Sequence, residues 1–171
     1  GLEPVLSLGE SGELYLQGED GAVIERRTRA KGTNLRSQVW HDVELFGIQL
    51  ALRRAGAVLT WQSEAEVRVQ NRVASLRFVK EYDAVVTLRC DELSAEVALE
   101  FERTRKSAEA YTGIFTLLKS ETQLSRFLYL VPDKQSQLLL RDAAPVKCPR
   151  IYVAITHEFR AQPATAALLD L

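Results

Sequence analysis

The chain lacks methionine entirely, and it has only two cysteines, two histidines and two tryptophans among 171 residues. With Gly1 where an initiating Met would stand, it reads as an excised piece of a longer protein, with another segment ahead of it. Cys90 and Cys148 lie far apart and form no C-x-x-C. That spacing argues against a structural zinc site and for two free thiols in a reducing, cytoplasmic setting. Charge of either sign is not in excess: the formal net charge is −1. No global basic field therefore advertises nucleic acid, and any such contact must come from local patches. No apolar run approaches the roughly 18 to 20 residues needed to span a membrane, and no signal peptide is visible. G-x-S-x-G, H-E-x-x-H and P-loop motifs are all missing.

What remains suits one globular domain. Hydrophobic residues make up 46% of the chain, and its length allows a full core. Residues 1–32 read as an N-terminal hairpin followed by a polar connector, in which Arg26, Arg27, Arg29 and Lys31 form a basic arm able to contact DNA. Residues 33–171 read as the main domain. Leu35, Val39, Val43, Phe46 and Leu50 recur at helical spacing from Thr33 or Asn34 to about Ala55. Leu45, Ile48 and Leu52 line the opposite side, so the helix is expected to be buried between layers. His41 and Glu44 share one of its faces. A short strand at Val58–Trp61 is followed by Ser63, a cap for the segment that starts at Glu64. Arg72 and Arg77 make the next stretch locally basic.

Strand Asp83–Arg89, a turn at Cys90–Leu93 and strand Ala95–Glu102 form a predicted hairpin. Alternation in the second strand puts Val97, Leu99 and Phe101 on one face and Glu100 and Glu102 on the other. Phe101 is expected beneath the helix that runs from Lys106 to about Lys119. Arg126–Val131 reads as a buried strand, Lys134–Arg141 as a short helix, Ile151–Thr156 as the last strand, and residues 162–171 as a tail that frays or docks as a helix. The order predicts an α/β (α+β) fold with a mixed central sheet flanked by helices.

Asp83, Glu100 and Glu102 are the unusual grouping. Neighbouring strands lie about 4.8 Å apart, so a hairpin that pairs Asp83 near Glu100 brings three carboxylates within reach of one hard cation. An all-oxygen set of this kind suits Mg²⁺ or Mn²⁺. Like charges on one strand face also repel, so counter-charges alone, from Arg103, Arg105 or Lys106, are the other way to make the face tolerable.

The order of elements and these acids resemble the PD-(D/E)xK nuclease fold, whose restriction-endonuclease-like core runs αβββαβ. Tyr82-Asp83 stands where that pattern has Pro-Asp, and Glu100 matches its second acid. Glu102 stands where its Lys would be, and Lys106, on the following helix, is the nearest replacement. More closely, His41, the W-x-x-E of Trp61 to Glu64, YDAVV at 82–86, ALEFERTRKS at 98–107 and Tyr111 resemble the replication-relaxation family of plasmid and mobile-element proteins. That resemblance covers about residues 35 to 131. It implies a C-terminal nuclease-like domain, commonly preceded by an N-terminal winged-helix DNA-binding domain.

Two functions stay open. One is a Mg²⁺- or Mn²⁺-dependent nuclease. There Asp83, Glu100 and Glu102 hold the metal and Lys106 stabilises phosphoryl charge. His41, Glu44 and Glu64 complete that site, and Arg72, Arg77, Arg103 and Arg105 meet DNA. The other is an inactive nuclease-fold module for DNA binding, homo-oligomerisation or partner docking.

Overall fold

The computed structural model describes residues 35–73, 77–90, 93–145 and 150–171. The expected N-terminal hairpin, the arm with Arg26, Arg27, Arg29 and Lys31, the caps Thr33 and Asn34, and Cys148 lie outside the described residues. Packing divides the chain into two compact units, Gly1–Val43 and Glu44–Leu171, and the division falls inside the first helix. Residues 35–43 of the first unit form the start of helix α1 (Leu35–Arg54).

The second unit carries the rest of α1 and all the other elements. They are β1 (Val58–Ser63), α2 (Glu64–Val73), β2 (Ala84–Cys90), β3 (Leu93–Phe101), α3 (Ala108–Leu118), β4 (Arg126–Val131), α4 (Lys134–Ala143), β5 (Arg150–Ile155), α5 (Thr156–Ala161) and β6 (Leu169–Asp170). The strands form one mixed sheet in the order β1-β2-β3-β4-β5-β6. β1, β2 and β3 run antiparallel to one another, β3, β4 and β5 run parallel, and β6 closes antiparallel on β5.

Local chemistry explains the boundaries. Ser63 and Glu66 form a reciprocal capping box at the head of α2: Ser63 N donates to Glu66 Oε2 at 2.6 Å, and Glu66 N donates to Ser63 Oγ at 3.5 Å. Ser107 caps α3 by accepting from Ala110 N at 3.2 Å. Gly56 takes φ +65° just past the end of α1, a conformation that costs glycine no Cβ clash. The unbroken apolar run of β4 reflects a parallel strand covered on both faces.

Helices cover both sides of the sheet. On one side Val67 of α2, Tyr111, Phe115 and Leu118 of α3 and Leu140 of α4 pack on Val85, Ala98, Phe127 and Tyr129. On the other, Ile48 and Leu52 of α1 and Phe159 of α5 pack on Ala84, Val97, Leu99, Phe101 and Leu128. Phe101 therefore lies with α1 and α5, not beneath α3 as expected. Strand alternation gives parity but does not say which helix covers which face. It is the acidic parity of β3 that faces α3.

Two other expectations change. α1 buries Ile48 and Leu52, yet Phe46 on its other apolar side is 63% exposed. The tail contributes β6, through Tyr152↔Asp170 and Val153↔Leu169, instead of fraying or forming a helix. The residues directly after β5 form α5, held because Phe159 is buried. Among the described residues no helix is long and apolar enough to cross a membrane.

Candidate functional site

The ladder between β2 and β3 runs from Cys90↔Leu93 to Ala84↔Leu99, so Asp83 stands just before β2, beside the end of β3. Its side chain extends the pairing: Asp83 Oδ2 accepts from Phe101 N at 2.7 Å. Backbone pairing continues on the other side, where Glu102 N donates to Leu130 O at 2.8 Å. Glu100 and Glu102 thus sit at one end of the sheet, on the face roofed by α3, and both are buried, at 8% and 4% exposure. Carboxylates removed from water are tolerated only when charge and hydrogen bonds are supplied from the protein.

Each receives a lysine. Lys106 donates to Glu102 Oε1 from the irregular link between β3 and α3, two residues before that helix begins and not on it as expected. Tyr111 of α3 donates its hydroxyl to Glu102 Oε2 at 2.5 Å. Lys80, from the segment ahead of β2, stands with Nζ 2.6 Å from Glu100 Oε1. That contact supplies the counter-charge that the buried carboxylate needs. Lys80 also lies over the Tyr82 ring, 5.5 Å from its centroid. Tyr82 is in turn anchored by donating to Glu121 Oε2 at 2.8 Å.

Burial pushes the Glu100 carboxyl up from 4.5 to about 7; the Lys80 charge opposes the rise and the Asp83 charge adds to it. Tyr129 pairs in register with Glu100 across β3 and β4. Its phenol is raised well above the ordinary range, first by burial and then by the charges of Glu100, Glu102 and Asp83.

Asp83, Glu100, Glu102 and Lys106 are thus brought to one end of the sheet. The other expected residues are placed differently. Glu44 pairs with Arg160 of α5 at 2.5 Å, and the helices that carry the two pack on the opposite face from Glu100. Glu64 pairs with Arg68 at 2.5 Å, and Arg68 reaches Glu81 at 2.9 Å, which ties α2 to the segment carrying Lys80. His41 belongs to the first unit, with Nδ1 3.4 Å from Asp42 Oδ1. Arg72, Arg77 and Arg103 are exposed, and Arg105 pairs with Asp133 at 3.0 Å. Lys80 and Tyr129 are members that sequence reasoning left out. Lys80 had one usable signal, its position three residues before Asp83. Tyr129 had none, because it lies in an apolar run where an aromatic residue is unremarkable.

Among the described residues, no group of three or more His, Cys, Asp or Glu side chains stands ready to hold a metal ion. Glu102 is turned to Lys106 and Tyr111, which leaves Asp83 and Glu100 as the carboxylates nearest to that role. Their oxygens suit a hard cation that takes one or two carboxylates and completes its shell with water. No family model, curated protein or solved structure matches this chain.

Proposed function

We propose that the second unit is a restriction-endonuclease-like domain of a DNA-processing protein, of the kind that serves plasmid or mobile-element replication or mobilisation, and that it acts on phosphodiesters with Mg²⁺ or Mn²⁺. The observation that carries this reading is the placement of Asp83 at the mouth of β2, Glu100 near the end of β3 and Lys106 in the link just ahead of α3, all at one sheet end. The αβββαβ order of α1, β1, β2, β3, α3 and β4, with α2 inserted after β1, is consistent with it. Asp83 and Glu100 would hold the cation. When bound, it would supply charge neutralisation at the phosphodiester and a more acidic water.

The chain's own residues do the rest. The Phe101 amide fixes the aim of Asp83. Lys80 neutralises the charge of Glu100. Lys106, 41% exposed at its side chain, can turn from Glu102 towards a phosphoryl oxygen. Arg72, Arg77 and Arg103 offer phosphate contacts, which position DNA without reading its sequence.

A second function has its own support. Glu100 and Glu102 already face lysines, Glu102 also holds Tyr111, and Asp83 holds a backbone amide. A centre neutralised in this way can be purely structural. The domain would then be an inactive module for DNA binding, homo-oligomerisation or docking.

Thermal denaturation with and without Mn²⁺ separates the two. Ligand binding to the folded state raises Tm, so the nuclease reading expects an Mn²⁺-dependent rise that Asp83→Ala abolishes. It also expects metal-dependent cleavage of supercoiled, linear or single-stranded DNA that both Asp83→Ala and Glu100→Ala remove. No rise and no cleavage on any substrate would overturn the nuclease reading and leave the docking module.

A further inference from the structure

The segment that carries Lys80, from Arg77 to Asp83 between α2 and β2, is irregular. Such a segment gains no ladder of backbone hydrogen bonds, so groups from elsewhere must fix it against its conformational entropy. This one is tied from two directions. From α2, Asn71 Oδ1 accepts from Phe78 N at 2.9 Å and Asn71 Nδ2 donates to Lys80 O at 3.4 Å, while Arg68 meets Glu81 at 2.9 Å. From the link between α3 and β4 comes Glu121. Its Oε2 accepts from Val79 N at 3.0 Å and from the Tyr82 hydroxyl at 2.8 Å. Its Oε1 accepts from Gln123 N at 2.8 Å, which fixes the carboxylate within its own link. Phe78 and Tyr82 are buried and meet edge to face, with ring centroids 5.9 Å apart.

Residues 78, 79, 81 and 82 are thus committed to holding the segment in place. Lys80, in their midst, sends its side chain to the site instead, with Nζ 2.6 Å from Glu100 Oε1 and over the Tyr82 ring. A lysine stem is long and flexible, so its charge is aimed only as well as the backbone beneath it is held. Glu121 grips the residue just before Lys80 and the residue two places after it. The lysine is bracketed by one carboxylate.

We propose that Glu121 is a positioning residue: by clamping Val79 and Tyr82 it holds the backbone around Lys80 and so aims the Lys80 ammonium at Glu100. The role rests on the nuclease reading and deepens it, because it names what sets the counter-charge at a proposed cation ligand. The clamp itself is tested without metal or DNA. A protein that cleaves no DNA therefore counts against the nuclease reading alone.

Glu121→Ala removes the clamp. Glu121→Gln keeps a carbonyl oxygen able to accept from both Val79 N and Tyr82, and should behave as the unaltered protein. Because Lys80 lies over the Tyr82 ring, its ε-methylene protons carry a ring-current shift in proton–carbon correlation spectra. That shift should be lost in Glu121→Ala and retained in Glu121→Gln. It should also be retained in Leu128→Ala, which lowers stability from the opposite face of the sheet.

Thermal denaturation gives the second measure. Lys80→Met removes the counter-charge of a buried carboxylate, and Tm should fall by several degrees. In a Glu121→Ala background, where the ammonium is no longer aimed, the same substitution should lower Tm much less. If Glu121→Ala does not fold, Glu121→Asp, whose carboxylate falls one methylene short of both donors, takes its place in both measurements. A ring-current shift that survives loss of the clamp, or an equal Tm loss from Lys80→Met in the two backgrounds, overturns the proposal.

Discussion

At the scale of single residues, burial turns the acids of β3 from surface charges into energetic liabilities with partners. Glu102 is the clearest case. As one of several like charges on an exposed strand face it would be dispensable, and its removal near neutral. Buried and bonded to Lys106 and Tyr111, it is not. Glu102→Ala leaves the Tyr111 hydroxyl without an acceptor, and we predict a loss of about 1 to 3 kcal/mol, read by chemical denaturation. An unchanged midpoint would sink this account of Glu102. Phe101→Ala should cost more, about 3 to 5 kcal/mol, because it empties space against the α1 face. Glu100 behaves in the opposite sense to Glu102. Its carboxyl rises from 4.5 to about 7, so between those pH values the folded chain holds a proton that the unfolded chain has released. Stability from this group is fully present below about pH 4.5 and is lost as pH rises through about 7. The rise corresponds to about 3 kcal/mol. Glu100→Gln should flatten the decline in Tm between about pH 5 and pH 8, whereas parallel profiles for the two proteins would refute it.

At the scale of elements, α3 is the roof of the site, and its first turn decides how firmly the roof is set. Ser107 caps it, and Tyr111, one turn inside, holds Glu102. Ser107→Ala should cost about 1 kcal/mol, and Ser107→Thr should restore most of it. Equal losses in both variants would mean that the cap is not the cause. These elements differ in how plainly the sequence announces them. The two-residue period of β3 puts Glu100 and Glu102 on one face, and Pro132 and the apolar run mark β4. The face that α3 covers was not legible, because alternation is symmetric between faces until long-range packing breaks the tie. Lys80 was obscure for a different reason. It sits in an irregular segment, and an irregular segment carries no period from which to aim a side chain. α5 and β6 are six and two residues long, too short for any periodicity to register.

At the scale of the molecule, strand and helix order predicts the mixed sheet and its two flanking layers, and the structure has both. The division at Val43/Glu44 was not legible, because the helical pattern runs through it without a break. The sheet also joins two kinds of pairing. β2 and β3 meet across a short hairpin, whereas β3, β4 and β5 pair only after α3 and α4 have crossed over. Closing a short loop costs little chain entropy, and parallel pairing must wait for much longer loops. Assembly in time should therefore begin at the hairpin. Val97→Ala, within it, should slow refolding, while Ile151→Ala, in β5, should mainly speed unfolding; stopped-flow chevrons of the two variants would distinguish them. Equal effects on both limbs would contradict that order. Asp83 and Glu100 would then be neighbours while the roof carrying Tyr111 is still unformed. The newborn hairpin would hold its acids in water, where like charge costs least, and their desolvation would come late, as one of the last barriers before the native state closes.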